Sequence, residues 1–202
     1  MRRESHVRFS ERAGVRFPRA TRLVILINAH PRNGWVLNAV AKRLREELVK
    51  LDVQINEEKS RIVDLARGES FGFLGFDFRR VRSRAGKWRP QYTPKMKKRT
   101  ALLQTLREVF RRYRSQPVQR VVETINPILR GWVNYFAIGY SNRCFQFVKR
   151  WVELKVRRHL LRARNRRGFG WERWSTQWLH ATLGLFNGYR VRLDLRKVVS
   201  VG

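Results

Sequence analysis

Lys and Arg supply 46 side chains against 15 from Asp and Glu, a formal net charge of +31 on 202 residues and a pI near 11.8. This imbalance limits the fold more than any other property of the chain. A compact state carrying it repels itself until it meets anions. Nucleic acid is the first partner class to expect, and an anionic membrane surface the second. The charge is also uneven. Residues 1–78 hold 15 basic and 10 acidic side chains, whereas residues 79–202 hold 31 and 5. Anion binding is therefore expected in the second part, with a boundary near 79–95. Hydrophobic residues make up 43%, with 7 Trp and 12 Phe, which is enough for a core and excludes wholesale disorder. No apolar run reaches the ~18 residues of a membrane span. The single Cys144 excludes a disulfide scaffold and a Cys-based zinc site.

Hydrophobic periodicity predicts an α+β chain. Residues 1–22 are Arg-rich without a period, and Glu4 and Glu11 argue against a transit peptide. The run Leu23, Val24, Ile25, Leu26, Ile27 has the composition of a buried strand. Leu37, Val40, Ala41, Leu44, Leu48 and Leu51 recur at helical spacing. Short strands are expected at 53–55 and 61–65, and another strand or tight hairpin at 71–78, where Phe alternates with small residues. Residues 23–78 thus read β-α-β-β-β. Residues 79–94, polar and holding Gly86, Pro90 and Pro94, read as a linker or a hairpin arm. Beyond Pro94 the period is helical. Helices are expected at 95–113, at 117–136 with a kink or split at Pro127, at 142–164 and at 172–186, with a weak strand over 189–199.

Catalytic patterns are sparse. A two-metal site needs adjacent carboxylates, yet the second part has Glu108, Glu123, Glu153, Glu172 and Asp194, all well apart in sequence. Glu46 and Glu47 sit on the polar face of the first helix, and Glu57 and Glu58 form the other pair. His6, His30, His159 and His180 lack metal-ligand spacing and read as surface or RNA-facing side chains. The basic residues are richer in Arg than Lys, which favours bidentate phosphate contact and base stacking. They gather at Lys95, Lys97, Lys98 and Arg99, at Arg107, Arg111, Arg112 and Arg114, and along 149–167. Leu106, Trp132 and Trp151 fall on apolar stripes and read as core.

Two strings carry a resemblance. NEEKS at 56–60 followed by FGFLGF at 71–76 resembles the end of the reverse transcriptase palm in group II intron-encoded proteins, where an LNxEKT turn precedes an FLGF primer grip. INPILRGWVNYF at 125–136 resembles the LN…LRGWxNYF helix of that family's maturase-specific (X) domain, with Arg130, Gly131, Trp132, Asn134, Tyr135 and Phe136 all matching. The resemblance extends over about residues 11–190. It implies a partial palm (a short antiparallel sheet with one helix) at 23–78, joined through 79–94 to an α-helical maturase or thumb domain at 95–190, with 191–202 as a tail. It also implies binding of structured group II intron RNA, whose folding and splicing such domains assist. Phe73, Leu74, Gly75 and Phe76 would be the primer-grip-like turn.

The chain departs from the family at its catalytic strand. ERAGVRFPR at 11–19 and ATRLVIL at 20–26 resemble the stretch leading into RYADDLVIL. Ala20 remains, but Thr21 and Arg22 stand where the family has two Mg²⁺-binding aspartates. The resemblance therefore implies a chain derived from an RNA-directed DNA polymerase but catalytically inactive, without bound Mg²⁺ or another cofactor. Lys59 stands near the place of a nucleotide-proximal lysine. No fingers, first palm strand or C-terminal HNH zinc domain is expected. The RNA contacts expected are Lys97, Lys98, Arg99, Arg130, Tyr135, Lys149, Arg150, Arg157 and Arg158. Trp132 is expected in the core and Asn134 in a structural hydrogen bond, with Tyr135 open to either role. A homodimer through palm edges, a cytoplasmic location and no membrane contact complete the expectations. The rival readings are a non-functional truncated or frameshifted remnant and a polymerase part completed by another chain.

Overall fold

The computed structural model describes residues 23–28, 30–165 and 167–192. The Ala20, Thr21, Arg22 string lies outside the described residues, as does the tail beyond 192. Helix α1, Gly34–Lys50, follows a short 3₁₀ turn at Pro31–Asn33. Three antiparallel strands come next: β1 Ser70–Phe73, β2 Phe76–Arg82 and β3 Trp88–Pro94, in the order β1-β2-β3. Helices α2 (Met96–Arg112), α3 (Val118–Tyr135), α4 (Asn142–Ala163) and α5 (Thr176–Ala181) complete the described chain. The fold is α+β.

The core is where the helical periods put it. Leu102, Leu106 and Phe110 of α2 meet Val121, Val122, Ile125, Leu129 and Val133 of α3, and Phe145, Val148, Val152 and Val156 of α4. Each set recurs every three or four residues, so each helix presents one apolar face to the other two. Trp174, Leu179, Leu183, Leu185 and Tyr189 close the core from the C-terminal side. Asn126, beside Pro127 in α3, fixes that closing segment. Its Nδ2 donates to Gly184 O at 2.9 Å and its Oδ1 accepts from Phe186 N at 2.9 Å. Asn126→Ala is expected to cost about 1–3 kcal/mol, since both backbone groups then lose their partner; chemical denaturation measures it, and an unchanged midpoint would refute the clamp.

The sheet docks onto α3 by the same residues that stand out in the sequence. Phe73 pairs with Phe76 across the two-residue turn Leu74-Gly75, and both turn residues have positive φ, 44° and 81°. That is the primed turn geometry a right-twisted hairpin needs. The turn delivers Phe76, 4% exposed, edge-on against Phe136 at 5.0 Å. Tyr135 Oη donates to Leu74 O at 2.9 Å, and Tyr140 N donates to Tyr92 O at 3.0 Å. Gly139, at φ 69°, lets that backbone pass: a Cβ there would stand 2.8 Å from Tyr92 O. The strings at 71–76 and 125–136 therefore meet in space.

Several expected elements differ. Residues 23–28 form no strand, and Leu23 and Leu26 are 61% and 76% exposed. A strand needs a neighbour for its backbone groups, and no described strand lies beside this run. The expected strands at 53–55 and 61–65 are absent too; short 3₁₀ turns occur at Glu57–Lys59 and Leu65–Arg67. Hence α1 has no sheet to cover, and none of its residues is buried. Residues 79–94 are the outer part of β2, a turn and β3, so the hairpin-arm alternative is the one that forms. Pro127 sits inside α3 without splitting it. Helix α5 is shorter than the expected 172–186, because Ser175 caps its start by accepting from Trp178 N, and Gly184 adopts φ 72° after its end. Residues 189–192 are not a strand.

Candidate nucleic-acid interface

Helices α2 and α4 form one wall each of a cationic cleft of about 290 Å³. Arg107, Arg111 and Arg114 line one side and Lys155, Arg158 and Arg162 the other, with Phe110 and His159 between them. The spacing explains the gathering. Positions 107 and 111 on α2, and positions 155, 158 and 162 on α4, each climb one helix face in steps of three or four, and Arg114 extends the first row from the turn just past α2. Phe110 and Val156 mark the neighbouring core stripes, so the cations flank the seam between the helices. None of these lining side chains is a carboxylate. The crowding is costly for the protein alone. Partial burial pushes the Lys155 ammonium below its ordinary value, and repulsion from Arg158, Arg107 and Arg162 pushes it the same way. An anion in the cleft relieves that repulsion.

Aromatic rings continue the cleft toward the start of α4. Arg107 lies over the Trp151 ring at 5.8 Å and Lys155 over the same ring at 5.3 Å. Arg99 stacks on Phe147 at 4.2 Å, and Phe147 is 43% exposed. From Phe147 to Arg162 the row of rings and cations spans about 22 Å of helix. Guanidinium planes over aromatic faces form layered surfaces on which phosphates and bases can both settle. Trp151, expected in the core, is half-buried: it packs against the core beside Phe110 and its other side belongs to this row.

The expected contact residues divide into groups. Lys97 and Lys98 are exposed in the first turn of α2, which carries no acid. Cations there oppose the helix dipole, and a bound anion would offset the cost. Arg99 is half-buried, with its Nε unpartnered. Arg130 and Arg150 are exposed, on α3 and α4 respectively. Lys149 is held by Asn187 Oδ1 at 2.7 Å. Tyr135 is 56% exposed and spends its hydroxyl on Leu74. Trp132 is half-buried, its ring tilted 46° to that of Phe136 with centroids 4.7 Å apart, and Asn134 is exposed. Arg158 is the member of the expected set that lines the cleft. Its companions Arg107, Arg111, Arg114, Lys155 and Arg162 belong to the basic gatherings the sequence shows, but not to the expected contact set. Phe73, Leu74, Gly75 and Phe76 form the sheet turn against α3.

Arg157 is not a surface contact. It is fully buried, with Nε donating to Trp174 O at 2.8 Å and Nη2 to Thr176 Oγ1 at 3.1 Å. Nη1 stands 3.7 Å from Glu153 Oε2, one turn earlier on α4, and the Trp171 ring covers the guanidinium at 4.1 Å. Burial pushes Arg157 below its ordinary value while Glu153 holds it up. The planar fork has donors enough for a carbonyl, a hydroxyl and a carboxylate at once, which is what ties the 171–176 loop to α4. Of the histidines expected at the surface, His30 is exposed and His6 lies outside the described residues, while His159 and His180 are corrected. His159 is 3% exposed and its Nε2 donates to Gln116 O at 2.9 Å. His180 bridges Leu185 O and Glu153 Oε1, both at 3.0 Å.

Burial pushes the Cys144 thiol up, more than neighbouring Arg99 pulls it down, which disfavours the thiolate. Among the described residues no three His, Cys, Asp or Glu side chains gather, and no helix is long and apolar enough to cross a membrane.

A comparison with curated proteins found no match. Residues 99–178 match the family model described as the group II intron, maturase-specific domain. The match contains α3 and α4 whole, nearly all of α2, and the cleft between α2 and α4. Over residues 99–178 the chain is thus similar to a group II intron maturase-specific domain.

Proposed function

We propose that the chain is a maturase-type module that binds group II intron RNA and helps it reach its splicing-competent fold. The observation that carries this reading is the α2–α4 cleft, six cations and no carboxylate, inside the matched domain. In the proposed mechanism the protein catalyses no bond change. Phosphates of folded RNA enter the cleft, relieve the repulsion around Lys155 and fix the protein's position. Exposed aromatics such as Phe147 then contact unpaired bases. Holding two RNA strands along one rigid helical wall lowers the entropy cost of the RNA's own tertiary fold.

Residues 23–78 are read as the end of a reverse transcriptase palm, its primer-grip turn docked on the thumb through Phe76 and Tyr135. Polymerisation is outside the proposal. Thr21 and Arg22 offer Mg²⁺ an uncharged hydroxyl and a cation where two carboxylates are required. A second reading, a remnant palm that lacks its partner strands, is favoured by the exposure of Leu23, Leu26 and Trp35 and by α1 burying none of its residues. It predicts aggregation of the isolated chain, since such apolar surface invites self-association.

The test is self-splicing of a group II intron RNA at limiting Mg²⁺, with and without the protein. The proposal expects faster splicing and a lower Mg²⁺ requirement. Unchanged splicing with demonstrated RNA binding would reduce the chain to a binder that does not assist folding.

A further inference from the structure

The β2–β3 hairpin lies outside the matched domain, and nothing in the cleft explains its surface. From Phe78 to Arg107 the chain contains no Asp or Glu. Arg79, Arg80, Arg82, Arg84, Lys87 and Arg89 all fall on the hairpin's outer half and are all exposed. Register sorts the two faces. Phe76 pairs with Pro94, Phe78 with Tyr92, Arg80 with Pro90 and Arg82 with Trp88, so these share one face. At its base this face is aromatic and docked: Phe76 on Phe136, and Phe78 stacked on Tyr92 at 5.4 Å. Further out the same face is free, and there Arg80 lies over the Trp88 ring at 4.9 Å. Trp88 is 52% exposed and borders a shallow hollow of about 180 Å³ with Arg79, Arg80, Arg89, Pro90 and Leu65.

The arm is built to hold its shape. Arg79 Nε donates to Gln91 Oε1 at 2.6 Å across the strands. In the turn, Ser83 N donates to Lys87 O at 2.8 Å, Gly86 N to Ser83 O at 2.9 Å and Lys87 N to Ser83 Oγ at 3.1 Å. Arg82 Nε donates to Gly86 O at 3.1 Å, and Gly86 takes φ 73°. An exposed Trp backed by a guanidinium, with Arg79 and Arg89 bordering the same hollow, offers one stacking surface beside several phosphate ligands. Trp88 has no place in the hydrophobic core, and a paired helix presents no free base face to it.

We propose that the hairpin arm is a second RNA-binding site, which stacks an unpaired base on Trp88 and holds the flanking phosphates through Arg82 on the same face and through Arg79 and Arg89, which belong to the other face but border the hollow beside Trp88. This rests on the reading of the chain as an RNA-binding protein and extends it to a surface outside the maturase-specific domain. Two contacts on one chain raise overall affinity by effective concentration, so the arm would favour RNAs that place an unpaired segment beside a structured element.

The experiment uses the full chain and two probes, an RNA stem closed by an unpaired loop and the same stem as a plain duplex. Trp88→Ala is expected to weaken loop binding roughly 5- to 150-fold, the range for one stacked base. Duplex binding and the salt slope should stay unchanged, since Trp88 carries no charge. Trp88→Phe should restore most of the loss. Arg79→Gln with Arg82→Gln should instead lower the salt slope by roughly 1–2. Far-UV circular dichroism checks that the variants fold; an unfolded Trp88→Ala chain would make the ring structural and overturn the proposal. Equal loss on loop and duplex, or no loss on either, would also overturn it. Failure of the underlying reading looks different: the unaltered protein would then bind neither probe. Binding of anionic vesicles by the arm, with RNA affinity unchanged in Trp88→Ala, would assign the arm to a membrane surface and overturn the proposal.

Discussion

Arg157→Met lowers the stability of the folded chain by about 3–5 kcal/mol, the cost of removing one partner from a buried ion pair. The guanidinium is fully buried, and its removal leaves Glu153, 5% exposed, with Thr176 at 3.5 Å and His180 at 3.0 Å. It also leaves Trp174 O without its donor and Trp171 without the cation beneath it. For a chain of this size that is a fall in Tm of roughly 6–20 °C. Arg158→Met, one residue on and exposed, should change stability by no more than about 0.5 kcal/mol. Adding Glu153→Met to Arg157→Met should recover part of the loss, because no uncompensated charge then remains. Denaturant unfolding followed by circular dichroism measures all three. Equal, small effects at 157 and 158 would contradict the buried network. Charge reversal at Arg157 is therefore a folding lesion and no test of RNA contact; at Arg158 it tests the cleft.

The second large effect is on RNA affinity. Replacing Arg107, Arg111, Arg158 and Arg162 with Gln removes four of the six cleft cations, all on exposed positions. The slope of log affinity against log salt should fall by roughly 3–4, close to one unit per phosphate contact. Counterion release fades near molar salt, so a slope loss of about 3 is roughly a thousandfold weaker binding at about 0.1 M. Removing Lys42, Arg43, Arg45 and Lys50 from α1 takes away equal charge and serves as control. Arg43 and Lys50 already pair with Glu47, and hydrogen bonding to Lys50 holds the Glu47 carboxyl below its ordinary value. That set should lose far less. Equal losses from the two sets would mean that charge alone binds RNA and the cleft has no special part.

What the sequence made legible follows from what periodicity encodes. A repeat of three and four locates a helix and its buried face, so α2, α3 and α4 stand close to their expected bounds, and Leu106, Ile125 and Val152 are in the core. Periodicity does not say which charged side chain beside a stripe turns inward. Arg157 and Arg158 are adjacent in sequence and opposite in fate, because 157 stands one turn from Glu153 on the side that receives the Trp174 loop. The warning was present in Glu153, one of few acids in a basic stretch and four residues before an Arg. Strands are less legible still. Residues 23–27 have strand composition but no neighbour to pair with, while 79–94, rich in Arg and broken by proline, pairs into the outer hairpin. Pairing is a non-local property, and composition reports only local preference. The docking of Phe76 on Phe136 was invisible to any local pattern, although both residues sit in strings the sequence had marked.

The most direct test of the central claim is a salt titration of the full chain on a structured group II intron RNA and on a duplex of equal length. The account predicts that preference for the intron RNA survives at moderate salt, about 0.2 M, because contacts beyond phosphate charge persist there. If the two affinities fall together and converge, a basic surface without RNA specificity is all that the cleft provides, and the maturase account is contradicted.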